Sequence, residues 1–209
     1  MDLKGLQNLI KRLEEKCVLK SSNIKKALMV VDRKNFVPEK LSDEAYLDEP
    51  LPLAEGQTIS QPTTVVIMLE LLDVKSGQKV LDIGAGSGWV SCLLAYLAGN
   101  DGRVYAYETK RVVGAMGQKN VKNSEFDNLK YIIDNAADRW KENAPYDRIH
   151  SGAAFSKIPE ELTRSLKIGG ILVAPTQDGY VKKIMRTREN EFKIEEHFGF
   201  SFVPFITHG

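Results

Sequence analysis

Leu81-Asp82-Ile83-Gly84-Ala85-Gly86-Ser87-Gly88 is the stretch on which the fold turns. It follows a short β-rich run, Lys79 to Ile83, and leads into a helical pattern from Trp89 to Ala98. Gly84 and Gly86 permit positive φ and let a ligand approach the backbone closely. A dinucleotide fingerprint would read G-x-G-x-x-G. Here the third glycine comes one residue early, at Gly88, and Trp89 fills the expected slot. The turn therefore suits a ligand without a pyrophosphate. Glu108 stands 20 residues beyond Gly88, at the end of the next strand, Arg103 to Glu108. An ionised carboxylate accepts only and can take both hydroxyls of a ribose. Loop and acid together point to an adenosine-bearing ligand.

Outward from the loop, strands and helices alternate. Helical patterns cover 62–73, 110–122 and Pro159 to Leu166, where Gly169-Gly170 is read as the stop. Strand patterns cover Leu129 to Asp134, Tyr146 to Ser151 and Gly170 to Ala174, and 180–188 with 192–203 read as a closing β pair. Such alternation predicts an α/β fold: a doubly wound, mostly parallel sheet covered on both faces, with its ligand at the carboxyl ends of the strands. Upstream, Leu3, Leu6, Leu9, Ile10 and Leu13 predict an amphipathic helix over 3–16, and a second helix starts at Ser22 as its cap. Residues 36–61 carry Pro38, Pro50, Pro52 and Gly56 and little periodicity, which marks a functional loop. The division expected is 1–61, N-terminal helices and a substrate-side loop, followed by 62–209, the ligand-binding α/β unit.

Composition narrows the classes. The 209 residues are 43% hydrophobic and 27% charged with a formal net charge of +1. That is ordinary for a globular protein and shows no basic field for nucleic acid. Apolar runs are too short to span a membrane, and Met1-Asp2-Leu3-Lys4 does not read as a leader, so a cytoplasmic monomer is expected. Cys17 and Cys92 are read as buried free thiols. His150, His197 and His208 fall on separate elements, so no metal site is expected, and His150 reads as a satisfied strand histidine. No G-x-S-x-G elbow supports a hydrolase.

The strand, glycine loop and terminal acid resemble motif I and its acidic partner in class I methyltransferases that use S-adenosyl-L-methionine. Further segments narrow the resemblance. Phe36-Val37-Pro38-Glu39, Ala45-Tyr46-Leu47-Asp48, Pro50-Leu51-Pro52 and Gly56-Gln57-Thr58-Ile59-Ser60-Gln61-Pro62 precede the loop. Ala144-Pro145-Tyr146-Asp147-Arg148-Ile149, Ile158-Pro159, Leu166-Lys167-Ile168-Gly169-Gly170 and Phe202-Val203-Pro204 follow it. Over nearly the whole chain these are similar to the protein-L-isoaspartate O-methyltransferase family. The resemblance implies a Rossmann-like sheet of seven strands with the last two exchanged in order. It also implies methyl transfer to the carboxylate of L-isoaspartyl residues in damaged proteins and peptides, with repair following through a succinimide.

By the same resemblance, Ser60 is the active-site residue and Thr58, Ile59 and Ser60 meet the substrate. Gln57, Thr58, Ile59, Asp82, Gly84, Ala85, Gly86, Ser87, Gly88, Glu108, Thr109, Asn135 and Ala136 meet the cofactor. The chain departs from the family in three places. Asp134-Asn135-Ala136 replaces a Gly-Asp-Gly at the adenine, Thr63-Thr64 follows Ser60-Gln61-Pro62 where His or Tyr is common, and Thr207 stands near the cofactor in a loose register.

A carboxylate is already ionised at neutral pH, so its methylation needs position more than a base. That agrees with a Gly56–Pro62 motif lacking His, Lys and Cys. Ser60 also reads as a helix cap ahead of Pro62. Two other readings are a class I methyltransferase acting on a small molecule or RNA, and a non-catalytic nucleoside-binding module.

Overall fold

The computed structural model describes residues 3–206. Two helices open the chain, α1 (Leu3–Glu15) and α2 (Ser22–Val30), followed by 3-10 turns at Arg33–Phe36 and Glu39–Glu44. A two-stranded antiparallel ribbon follows, β1 (Leu51–Pro52) and β2 (Thr58–Ile59). Then come α3 (Pro62–Leu72), β3 (Lys79–Ile83), α4 (Trp89–Ala98), β4 (Arg103–Glu108) and α5 (Arg111–Asn123). After these come β5 (Leu129–Ile133), α6 (Ala136–Arg139), β6 (Tyr146–Ser151) and α7 (Glu160–Arg164). The chain closes with β7 (Leu166–Pro175), β8 (Tyr180–Arg188) and β9 (Glu191–Phe198).

Seven strands form one sheet in the order β5-β4-β3-β6-β7-β8-β9. The first five are parallel, and β8 and β9 extend it as an antiparallel meander. The last two strands therefore lie in chain order at the edge, in agreement with the exchange the resemblance implies. Strand order reverses between β3 and β6, so the crevice for a ligand lies at their carboxyl ends. Buried side chains of α1 and α2, such as Leu9, Leu13 and Leu28, share one apolar cluster with Val66 and Leu69 of α3 and Leu93 of α4. The cluster also takes in Val80, Val104 and Val173, so the described part of the N-terminal segment, 3–61, reaches the sheet by direct core packing.

Several boundaries differ from the sequence reading. The helix expected over Pro159 to Leu166 spans only Glu160–Arg164, with Pro159 as its N-cap. Gly169 (φ +80°) and Gly170 do not end it. They lie inside β7, where the pairing jumps from Tyr146↔Leu166 to Arg148↔Ile171. Extra residues on one strand make a bulge, which a positive-φ glycine accommodates. The last strand stops at Phe198, and 199–206 leaves the sheet. α2 is capped at Ser21, whose hydroxyl donates to Glu70 rather than to its own helix. Cys17 is exposed in the turn after α1, at φ 56°, while Cys92 is buried and its thiol is pushed up to about 12 by burial.

Candidate active site

The floor of the cavity is the turn between β3 and α4. The N–H groups of Gly84 and Ala85 donate to the Tyr107 carbonyl at 2.9 and 3.0 Å. Gly86 N–H donates to Glu108 Oε2 at 2.9 Å, and Lys110 N–H donates to Glu108 Oε1 at 2.8 Å. Each oxygen of Glu108 keeps a lone pair for a further donor. Tyr131 donates from its hydroxyl to the Gly86 carbonyl at 2.6 Å. Burial, then the charges of Glu108 and Asp82, push that phenol well above its ordinary value, so it remains a donor. At Gly86 (φ +55°) an added Cβ would meet nothing within 4 Å, which leaves the turn open toward the cavity. At Gly88 an added Cβ would lie 2.7 Å from Val121, so this glycine serves the packing of α4 on α5.

The opposite wall is Gln57 to Ser60, and its position is set by Arg33. That guanidinium is buried and donates to the carbonyls of Ala45 (2.9 Å), Leu47 (3.2 Å), Glu49 (3.0 Å), Ile59 (3.5 Å) and Ser60 (3.1 Å). It also lies 5.4 Å over the Trp89 ring. Burial pulls its pKa down to about 10, against the opposing charges of Asp48 and Glu49. One cation thereby ties together the Ala45–Asp48 and Gly56–Pro62 segments.

The cap of α3 is not Ser60. Its N-cap is Gln61, which makes no side-chain cap bond. The orphan N–H of Thr63 is met from another segment, by Asp48 Oδ1 at 2.9 Å, while Thr63 Oγ1 donates to Asp48 Oδ2 at 2.6 Å. Gln61 Nε2 donates to the Asp48 carbonyl at 2.8 Å. Ser60 Oγ has no hydrogen-bond partner among the described residues, and Ser60 lines the cavity.

The remaining walls come from β6 and the end of the chain. His150 Nδ1 lies 2.7 Å from Asp82 Oδ1, and Ser91 Oγ donates to Asp82 Oδ2 at 2.5 Å. The Ala154 N–H donates to the Val203 carbonyl, and the Phe205 N–H to the Ala154 carbonyl. Phe205 packs on Phe155 with ring centroids 4.4 Å apart. These contacts hold Phe202 to Ile206 across the cavity mouth.

Of the residues expected from the sequence, Gln57, Thr58, Ile59, Ser60, Gly84, Ala85, Gly86, Ser87, Glu108, Thr109 and Ala136 line this one cavity. Asp82, Gly88 and Asn135 do not. Asp82 is fully enclosed and its oxygens are taken by His150 and Ser91. Asn135 turns its Oδ1 to the Ala137 N–H as the cap of α6, and donates to the Ile206 carbonyl at 3.4 Å. Thr207 lies outside the described residues. The sequence reading passed over Val65, Met68, Gly152, Ala153 and Phe202 to Ile206, and it took His150 for a packing residue. Nothing local distinguishes these; the apolar run 202–206 is brought to the cavity only by pairing with Ala154. Among the described residues no group of His, Cys, Asp and Glu is arranged to hold a metal ion, and no helix is long and apolar enough to cross a membrane.

A seven-stranded, mostly parallel sheet with an open glycine turn and a strand-end acid beside one cavity defines a class I methyltransferase. The family model of protein-L-isoaspartate(D-aspartate) O-methyltransferase matches residues 4–208. A protein-L-isoaspartate O-methyltransferase of Methanopyrus kandleri is 38% identical, over 96% of this chain and 90% of its own. That of Thermococcus sibiricus is 37% identical, over 95% and 91%. The chain belongs to the protein-L-isoaspartate O-methyltransferase family. In fold it matches a Plasmodium falciparum protein of that description, solved with S-adenosyl-L-homocysteine, at a TM-score of 0.87 and 24% identity, over 96% of this chain and 98% of that one.

Proposed function

We propose that this protein methylates the free carboxylate of L-isoaspartyl residues in damaged proteins and peptides, using S-adenosyl-L-methionine. The observation that carries the site assignment is the cavity itself. It is lined by an open glycine turn and Glu108 together with Thr58, Ile59 and Ser60, whose hydroxyl has no partner among the described residues. Gly84 to Ser87 would receive the methionine part of the cofactor, Glu108 the ribose hydroxyls, and Thr109 and Ala136 the adenine side. Asp82, Gly88 and Asn135 would act from behind the wall. The cofactor supplies an electrophilic methyl group on a sulfonium.

The substrate carboxylate is ionised at neutral pH and needs no base. Ser60 donates to one carboxylate oxygen and aims the other. The new C–O bond forms as the S–CH₃ bond breaks, with its electron pair left on sulfur and no proton moved. A wall of Ile59, Val65, Met68 and Phe202 keeps the site dry, which favours two charges becoming none. Away from the enzyme, the neighbouring backbone nitrogen attacks the methyl ester carbonyl and methanol leaves with the amide proton, closing a succinimide. Two free cysteines fit a reducing cytoplasm.

Tritiated S-adenosyl-L-methionine with an isoaspartyl peptide and its aspartyl twin tests this. Base-labile methyl on the isoaspartyl peptide alone is the expected result. Cofactor binding with transfer to neither peptide would overturn it.

A further inference from the structure

His150 is 97% buried by its 3% relative exposure, yet it lines the cavity. Its Nδ1 faces Asp82 Oδ1 at 2.7 Å, and the other oxygen of Asp82 is taken by Ser91 Oγ. No described residue pairs with its Nε2. The backbone holds this arrangement tightly. Asp82 and His150 are direct partners across the β3–β6 ladder, and an added Cβ on Gly152 would lie 2.8 Å from the Gly84 carbonyl oxygen. The imidazole is thus fixed on one side and has an open nitrogen on the other, in the same cavity as the open hydroxyl of Ser60.

The chemistry of the pair selects what that nitrogen meets. Asp82 accepts from Nδ1–H, so the ring orientation and tautomer are set. A proton on Nε2 makes an imidazolium whose charge Asp82 balances in place, so no buried charge is left unpaired. In that form the ring offers an anion in the cavity a charge-assisted N–H donor. We propose that His150, aligned by Asp82 and Ser91, donates from Nε2 to the carboxylate that Ser60 contacts, gripping the methyl acceptor from a second side. The proposal rests on the methyl transfer described above. His150 is a binding residue, and Asp82 is the positioning residue behind it.

Such a bond is present in the ground state and weakens slightly as the carboxylate loses its charge. Its removal therefore raises KM and leaves kcat nearly unchanged. A hydrogen bond to a charged group corresponds to at least about a tenfold change.

The test measures KM and kcat for an isoaspartyl peptide, and Kd for S-adenosyl-L-homocysteine, in wild type, His150→Gln, His150→Phe and Asp82→Asn. A competing peptide with a carboxamide in place of the free carboxylate is included. We expect His150→Phe to raise KM at least about tenfold with kcat and Kd within about threefold. His150→Gln, which keeps a donor and folds more safely, should fall between. Wild type should prefer the carboxylate over the carboxamide, and His150→Phe should lose that preference. Asp82→Asn should raise KM in the same direction.

Unchanged KM and preference in both His150 variants would overturn the proposal, as would a weakened Kd at constant KM, which would assign Nε2 to the cofactor. Activity of the wild type on the isoaspartyl peptide is read separately, so failure of the reaction and failure of His150 are told apart.

Discussion

Ser60 and Asp48 divide two tasks that the motif on its own assigns to one serine. Asp48 caps α3 through Thr63, and the Ser60 hydroxyl is left without a partner among the described residues, on the proposal above to meet the substrate. Ser60→Ala should therefore lower kcat/KM for an isoaspartyl peptide by about 10- to 100-fold, the worth of a hydrogen bond to a charged group, and leave the melting temperature unchanged. Asp48→Ala should do the converse first, costing about 1–2 kcal/mol of stability in thermal or urea unfolding through the lost cap. Which residue caps α3 was not legible locally. Ser60 sits at the conventional spacing from Pro62, whereas Asp48 is 15 residues from Thr63 in sequence and arrives only by tertiary folding. Glu108 was legible, because a strand-end acid beyond a glycine turn is a local pattern.

At the scale of elements, one side chain and one latch position the segment 45–60. Arg33 reaches five carbonyls between Ala45 and Ser60, a span whose regular structure is the short β1–β2 ribbon. Arg33→Met should leave these acceptors short of donors and cost about 3 kcal/mol or more in unfolding free energy. Arg33→Lys should retain the charge but not the fork, and recover only part of it.

Across the cavity, Glu55 Oε2 accepts from the N–H groups of Val112 (2.9 Å) and Val113 (3.2 Å) at the start of α5. The tip of the β1–β2 ribbon is thereby pinned to the helix that follows Glu108. Glu55→Ala should weaken S-adenosyl-L-homocysteine binding by roughly two- to fivefold, the worth of a carboxylate at a helix N-terminus, measured by calorimetry. The sequence marked 36–61 as functional because it lacked periodicity. It did not show that an arginine and a glutamate would organise it, since both act on backbone groups, which carry no residue-specific signal.

For the whole molecule, two half-buried carboxylates link stability to pH. Burial alone would raise Asp48, but hydrogen bonds from Lys16 and Thr63 and the charge of Lys16 outweigh it and hold its pKa below the ordinary value. Burial likewise opposes Asp147, and it is outweighed by Lys167, by the Lys79 N–H and by the charges of Lys167 and Arg148. A depressed native pKa stabilises above the unfolded value, near ~4, and that stability is lost as pH falls through the native value. The melting temperature should therefore be flat from neutrality down to about pH 5 and fall below about pH 4, less steeply in Asp147→Asn.

The sequence by itself determined the alternation of strands and helices, the glycine turn, the strand-end acid Glu108 and the family, because periodicity, turn glycines and contiguous motifs act over a few residues. Tertiary structure alone decided that Gly169-Gly170 bulges a strand instead of ending a helix, that Asp82 lies behind His150, and that Phe202 to Ile206 close the cavity. Each of those depends on a partner far away in the chain, and only the packed sheet brings such partners within hydrogen-bond or van der Waals reach.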